Sequence, residues 1–78
     1  MSGARHLRKR SFALAGHRTS VALEPAFWAV LEAAARARGL SLAALVARVD
    51  AARPGPALPL ASALRVFALE ERGRVPGV

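Results

Sequence analysis

Cations dominate the side chains that could do chemistry in this chain. Twelve Lys and Arg stand against five Asp and Glu, a formal net charge of +7 at neutral pH. A balance of this kind calls for a polyanionic partner, nucleic acid or an acidic membrane surface. Arg far outnumbers Lys, which favours nucleic acid, because the guanidinium fork matches phosphates and guanine edges. Three groups concentrate this chemistry. Arg5, His6, Arg8, Lys9 and Arg10 crowd the N-terminal stretch; His17, Arg18 and Ser20 follow; Ser41 precedes an apolar run.

Catalytic groupings are not found among the same residues. His6 and His17 are not at metal-ligand spacing, and the chain has no Cys and no Tyr. Ser11, Ser20, Ser41 and Ser62 each lack a nearby His and carboxylate to activate them. Glu24, Glu32, Asp50, Glu70 and Glu71 fall beside helix ends or Arg residues. Large apolar side chains are too few to enclose a pocket for a small-molecule substrate. The expectation is a protein that is not an enzyme and holds neither metal nor cofactor. No apolar run approaches the roughly 20 residues that cross a bilayer, and the basic start is followed only by the short "FALAG", too little for a secretory signal. The chain is expected in the cytoplasm and not in a membrane.

At 78 residues, with no disulfide to staple it, the chain is close to the lower limit for a self-sufficient core, and oligomerisation is the device left to it. Residues 1–10 read as a flexible basic arm, because like charges repel and no alternation orders them. "SFALA", from Ser11 to Ala15, sets Phe12 and Leu14 on one side of a possible short strand, and Gly16 could turn the chain; whether this segment pairs with anything is left open. About residues 18–24 form a firmer strand, with Thr19, Val21 and Leu23 on one face and Arg18, Ser20 and Ala22 on the other. Such a strand needs a partner, and the same strand of a second copy is the economical one.

A helix over about 25–38 starts with Pro25 at its first position and stops at Gly39. Phe27, Trp28, Leu31, Ala34 and Ala35 form its apolar stripe, and Glu32 and Arg36 are at the spacing of a helical ion pair. Ser41 caps a second helix over about 42–52, whose Leu42, Leu45, Val46 and Val49 share one face. After the Pro-rich "ARPGPALP", a third helix runs over about 60–72, with Leu60, Leu64, Phe67 and Ala68 on one side, and residues 73–78 make a loose tail. No internal repeat is evident.

The strand "RTSVALE", the turn "ARGLSLAALV" and the wider run "KRSFALAGHRTSVALEPAFW…GLSLAALVARVD" resemble the ribbon-helix-helix family, the class of MetJ and Arc, and within it a bacterial subgroup of poorly defined function. The resemblance implies a mainly α fold with one short strand per chain, paired across an obligate homodimer into an antiparallel ribbon that enters the DNA major groove. The C-terminal third helix is additional to the minimal family pattern and is expected to extend the dimer core or dock another partner. The resemblance covers about residues 18–52 and implies double-stranded DNA as partner and a small transcriptional regulator associated with the nucleoid when bound. With the segment before it and the third helix, the domain is expected over residues 11–72. Carried onto this sequence, Arg18 would read guanine, Ser20 a base edge or phosphate, and Ala22 at most a thymine methyl. Ser41, Leu42 and Ala43 at the second helix start would hold a phosphate, with His17 able to face another, and Arg5, Arg8, Lys9 and Arg10 would follow the DNA backbone or only keep the chain in solution. Val21, Leu23, Phe27, Trp28, Leu31, Leu42, Leu45, Val46 and Val49 would form the dimer core. Two other readings stand beside this one. The third helix could bind a protein partner, as in an antitoxin, or the chain could bind polyanions without sequence preference.

Overall fold

The computed structural model describes residues 6–73; Arg5 of the basic arm and the tail from residue 74 onward lie outside them. Two strands, β1 (Arg8–Leu14) and β2 (His17–Leu23), precede three helices, α1 (Pro25–Ala37), α2 (Leu42–Ala52) and α3 (Leu60–Arg72). The strands form an antiparallel hairpin, with Ser11 opposite Ser20 and Leu14 opposite His17. The expectation of one strand per chain is therefore corrected to two, and β2 finds a partner inside its own chain.

The turn explains the hairpin. Ala15 and Gly16 both have positive φ, 51° and 83°, the combination that lets a two-residue turn match the natural twist of paired strands. Glycine takes such a φ freely, whereas Ala15 carries a Cβ that disfavours it. Phe12 and Leu14 then face inward beside Val21 and Leu23, and all four are buried.

The same pairing orders the basic stretch. Arg8, Lys9 and Arg10 are strand residues, so the flexible arm expected over residues 1–10 is corrected for these three. Charge repulsion argued for disorder, but three long-range contacts outweigh it. The Trp28 indole Nε1 donates to the Arg8 carbonyl at 2.8 Å. Arg10 Nη1 donates to Glu32 Oε2 at 2.7 Å, and its guanidinium lies 5.2 Å from the Trp28 ring centre. Glu32 thus pairs across to β1 and not with Arg36 along its own helix as expected. The nearer partner offered only a solvated surface pair, whereas Arg10 also stacks on an indole.

The helices follow their capping signals. Gly39, at φ 68°, ends α1 in a left-handed turn. Leu40 N–H reaches Ala35 O at 2.9 Å and Gly39 N–H reaches Arg36 O at 3.1 Å, satisfying carbonyls that would otherwise be stranded at the helix end. Ser41 Oγ accepts from Ala44 N–H at 3.0 Å and opens α2. In the connection to α3, Arg53 donates to Asp50 Oδ1 at 2.8 Å and to the Leu58 carbonyl at 2.7 Å, fastening both ends of the Pro-rich loop.

The core lies between the hairpin and the three helices. Leu23, Leu31, Leu45, Val46 and Leu64 are shut off from solvent. Of the residues expected in a dimer core, Val21, Leu23, Trp28, Leu31, Leu45 and Val46 are buried within the single chain, and Phe27, Leu42 and Val49 pack half-buried against them. α3 closes this core with Leu60, Ala63, Leu64 and Ala68. Two non-local ion pairs hold α3 in place: Arg65 Nε donates to Glu24 Oε1 at 3.1 Å, and both Arg38 Nη atoms reach the Glu71 carboxylate.

Candidate nucleic-acid interface

Alternation along a strand sends every second side chain away from the core, and the register decides which of them meet. Six residues share the outward face of the hairpin: Lys9 opposite Ala22, Ser11 opposite Ser20, and Ala13 opposite Arg18. Only Ala22 among them is half-buried; the other five are exposed. Cations occupy two diagonal corners, and small residues fill the rest. The Ser11 and Ser20 hydroxyls meet at 3.0 Å in the middle, where each keeps capacity for a further hydrogen bond. Side chains this small let the backbone approach a flat or grooved partner closely.

The expected base-reading residues Arg18, Ser20 and Ala22 therefore stand together on one face. Reading from sequence missed its other half, Lys9, Ser11 and Ala13, by placing Lys9 in an arm and leaving "SFALA" unassigned. A signal was present in the sequence. KRSFAL (9–14) and RTSVAL (18–23) are near copies nine residues apart, which corrects the expectation that the chain holds no internal repeat.

The remaining candidates divide. Arg8 is exposed at the open end of the hairpin and His17 beside its turn. Arg10 is committed to Glu32 and Trp28, so its charge is largely neutralised at home. Trp28 is buried in the core beside Phe12, ring centres 5.9 Å apart, and is not available to stack on bases. At the start of α2, Ala43 is exposed and Leu42 half-buried. With Ser41 Oγ already accepting from Ala44, the amides of Leu42 and Ala43 and the Ser41 hydroxyl hydrogen are the donors left there.

Electrostatics sharpen the contrast between the hairpin and the body. Four of the five acidic side chains are taken up by ion pairs, with Arg10, Arg38, Arg53 and Arg65. Hydrogen bonds from its own backbone amide and from Arg65 hold the Glu24 carboxyl below its ordinary pKa. The Glu71 hydrogen bond raises the pKa of Arg38. Exposed Arg8, Lys9 and Arg18 therefore carry positive charge on a hairpin with no acidic residue in either strand. Among the described residues no three His, Asp or Glu side chains gather as a metal site would require, and no helix is long and apolar enough to cross a membrane.

A sequence model of the family described as "Ribbon-helix-helix domain" matches residues 7–72, from just before β1 to the end of α3. The comparisons matched no curated protein and no solved structure.

Proposed function

The chain belongs to the ribbon-helix-helix family, whose domains are in general DNA-binding transcription regulators or antitoxins, and from that premise we propose that it regulates transcription by laying the outward face of its hairpin in the DNA major groove. The observation that carries this reading is the makeup of that face: a cation at each of two diagonal corners, an alanine at each of the other two, and hydroxyls at the centre. A two-stranded ribbon is one of the few elements the major groove admits.

On this reading Arg18 contacts guanine O6 and N7, Ser20 and Ser11 contact base edges or phosphates, and Ala22 and Ala13 contribute apolar contact and clearance. The amides of Leu42 and Ala43, with the Ser41 hydroxyl, hold a phosphate at the positive end of α2, which fixes register but not sequence. Arg8 and His17 flank the ribbon and meet the DNA backbone.

Binding to a duplex selected from a random pool tests the proposal, with affinity measured by fluorescence anisotropy at a fixed salt concentration. Arg18→Ala is expected to weaken binding to the selected duplex by about 1–3 kcal/mol and to relax preference at the base it reads. Unchanged affinity would remove Arg18 from the groove. Equal affinity for selected and random duplexes would support the reading as a general polyanion binder, because phosphate neutralisation alone gives tight, salt-sensitive binding.

A second reading, a protein partner at α3, draws on Val66 and Leu69, exposed at 49% and 62% on the outer side of that helix. Its inner side is spent on the core, so a partner would meet α3 docked on its own domain.

A further inference from the structure

The outer side of α3 carries a pattern for which its own fold has no use. Ser62, Val66, Leu69 and Gly73 follow one another at spacings of four, three and four residues, the rhythm of the seam along which two helices coil together. Among the described residues, Val66 and Leu69 are two of the three large apolar side chains left exposed, and neither joins the core cluster. The core needs only the opposite side of α3, where Leu60, Ala63, Leu64 and Ala68 are buried. Small residues, Ser62 and Gly73, stand at the two ends of the seam and let a second backbone come close.

Opposite charges flank this seam. Arg65 stands on one side of it and Glu70, five residues on, stands on the other. Glu70 is exposed, and among the described residues it is the acidic side chain outside the four ion pairs. Arg65 gives Glu24 its Nε, which leaves the two terminal nitrogens of its fork as donors for a second carboxylate. Two α3 helices laid side by side in parallel bring the Arg65 of each to the partner's Glu70, because flanking residues five apart meet across a parallel seam. The seam then sets Val66 against Val66 and Leu69 against Leu69. A β-branched residue and a leucine at these two places favour a parallel pair. An antiparallel pair would put Arg65 beside the partner's Arg72, like charge against like.

Resting on the second reading above, a protein partner at α3, we propose that this partner is the α3 of a second copy, held in a parallel, in-register pair by two reciprocal Arg65–Glu70 ion pairs. Domains of this family in general dimerise. The α3 pair shares no residue with the outward face of the hairpin and is a further self-contact, through which two dimers join. Its seam is short, so it falls at the low end of interface sizes and gives a weak, reversible association.

The chain has no Cys, so a single introduced thiol reports the register. Ser62→Cys should close a disulfide between two copies under mild oxidation, because a parallel in-register pair brings the two Cα atoms to the roughly 6 Å that the bond needs. An antiparallel pair centred between Val66 and Leu69 holds them about 16 Å apart along the axis. Ala57→Cys, exposed in the Pro-rich loop, is the control and should stay uncrosslinked. Sedimentation equilibrium of the parent chain should show a mass that doubles as concentration rises. Leu69→Glu should remove that step, and Glu70→Arg should weaken it about tenfold through lost ion pairs and new repulsion. Both side chains lie outside the core, and thermal unfolding followed by circular dichroism establishes that each variant is folded. No disulfide through Ser62→Cys, or a mass that Leu69→Glu leaves unchanged, would overturn the proposal. A crosslink between Val66→Cys and Leu69→Cys chains without one through Ser62→Cys would also overturn it, in favour of an antiparallel pair. If a different protein binds the parent and not Leu69→Glu, while the parent does not self-associate through α3, the second reading stands and the self-pairing falls. If Leu69→Glu alters neither, both fall.

Discussion

Neighbouring residues of β1 have opposite duties. Lys9 points outward and is exposed, whereas Arg10 points to α1 and is held by Glu32 and the Trp28 ring. Arg10→Ala is therefore expected to lower stability rather than to change recognition. The pair is about a third exposed on each side, so solvent screening keeps its contribution small, and the loss should be about 1 kcal/mol from ion pair and ring contact together. Chemical denaturation checks the stability, and anisotropy with random duplex checks that binding weakens less than for Lys9→Ala. The Arg10 contact also shows why part of the site was hidden in the sequence. Glu32 has a plausible partner four residues on, in Arg36, and the true one is 22 residues away. Local spacing favoured the wrong pair because it carries no information about Trp28 lying beside β1.

Among the elements, the helices were legible and the hairpin was half legible. Pro25, Gly39 and Ser41 are local signals with local physical causes, and each marks a helix boundary in the structure. β1 could not be read the same way, because a run of three cations disfavours order unless something distant fixes it. Its turn was also unobvious, since Ala15 takes a conformation that alanine resists. The strain there yields a prediction: Ala15→Asn should raise stability by about 0.5–1 kcal/mol, since asparagine tolerates the left-handed region and Asn-Gly is the favoured pair for such turns. Thermal unfolding followed by circular dichroism measures it. A decrease would mean that the turn is not the strained point of the ribbon.

For the molecule as a whole, α3 and its ion pairs decide how a chain this short closes its core. Leu64 is fully buried at the meeting of α3 with the rest. Leu64→Ala should cost about 2–5 kcal/mol, a large share of the total stability of a small domain, and should convert a cooperative unfolding transition into a broad or absent one. Acid should act at the α1–α3 contact. The folded-state pKa of Glu24 is depressed, so its contribution is present above the ordinary glutamate range and is lost as pH falls through the lowered value. Melting temperature measured across that acidic window should fall more steeply for the parent chain than for Glu24→Gln. Equal slopes would mean that the Arg65 contact adds nothing in solution.

The alternation of the hairpin has a consequence for how such a protein can change over time. Phe12, Leu14, Val21 and Leu23 keep the domain folded, while Lys9, Ser11, Ala13, Arg18 and Ser20 stand free of the core, with Ala22 half-buried between the two sets. Substitutions at the outward positions are cheap in stability, so a lineage can drift to new target sequences in single steps, each of them a folded intermediate. The same separation makes these positions a natural library: randomising them while holding the inward residues should yield many folded variants, each a candidate for a new address on DNA.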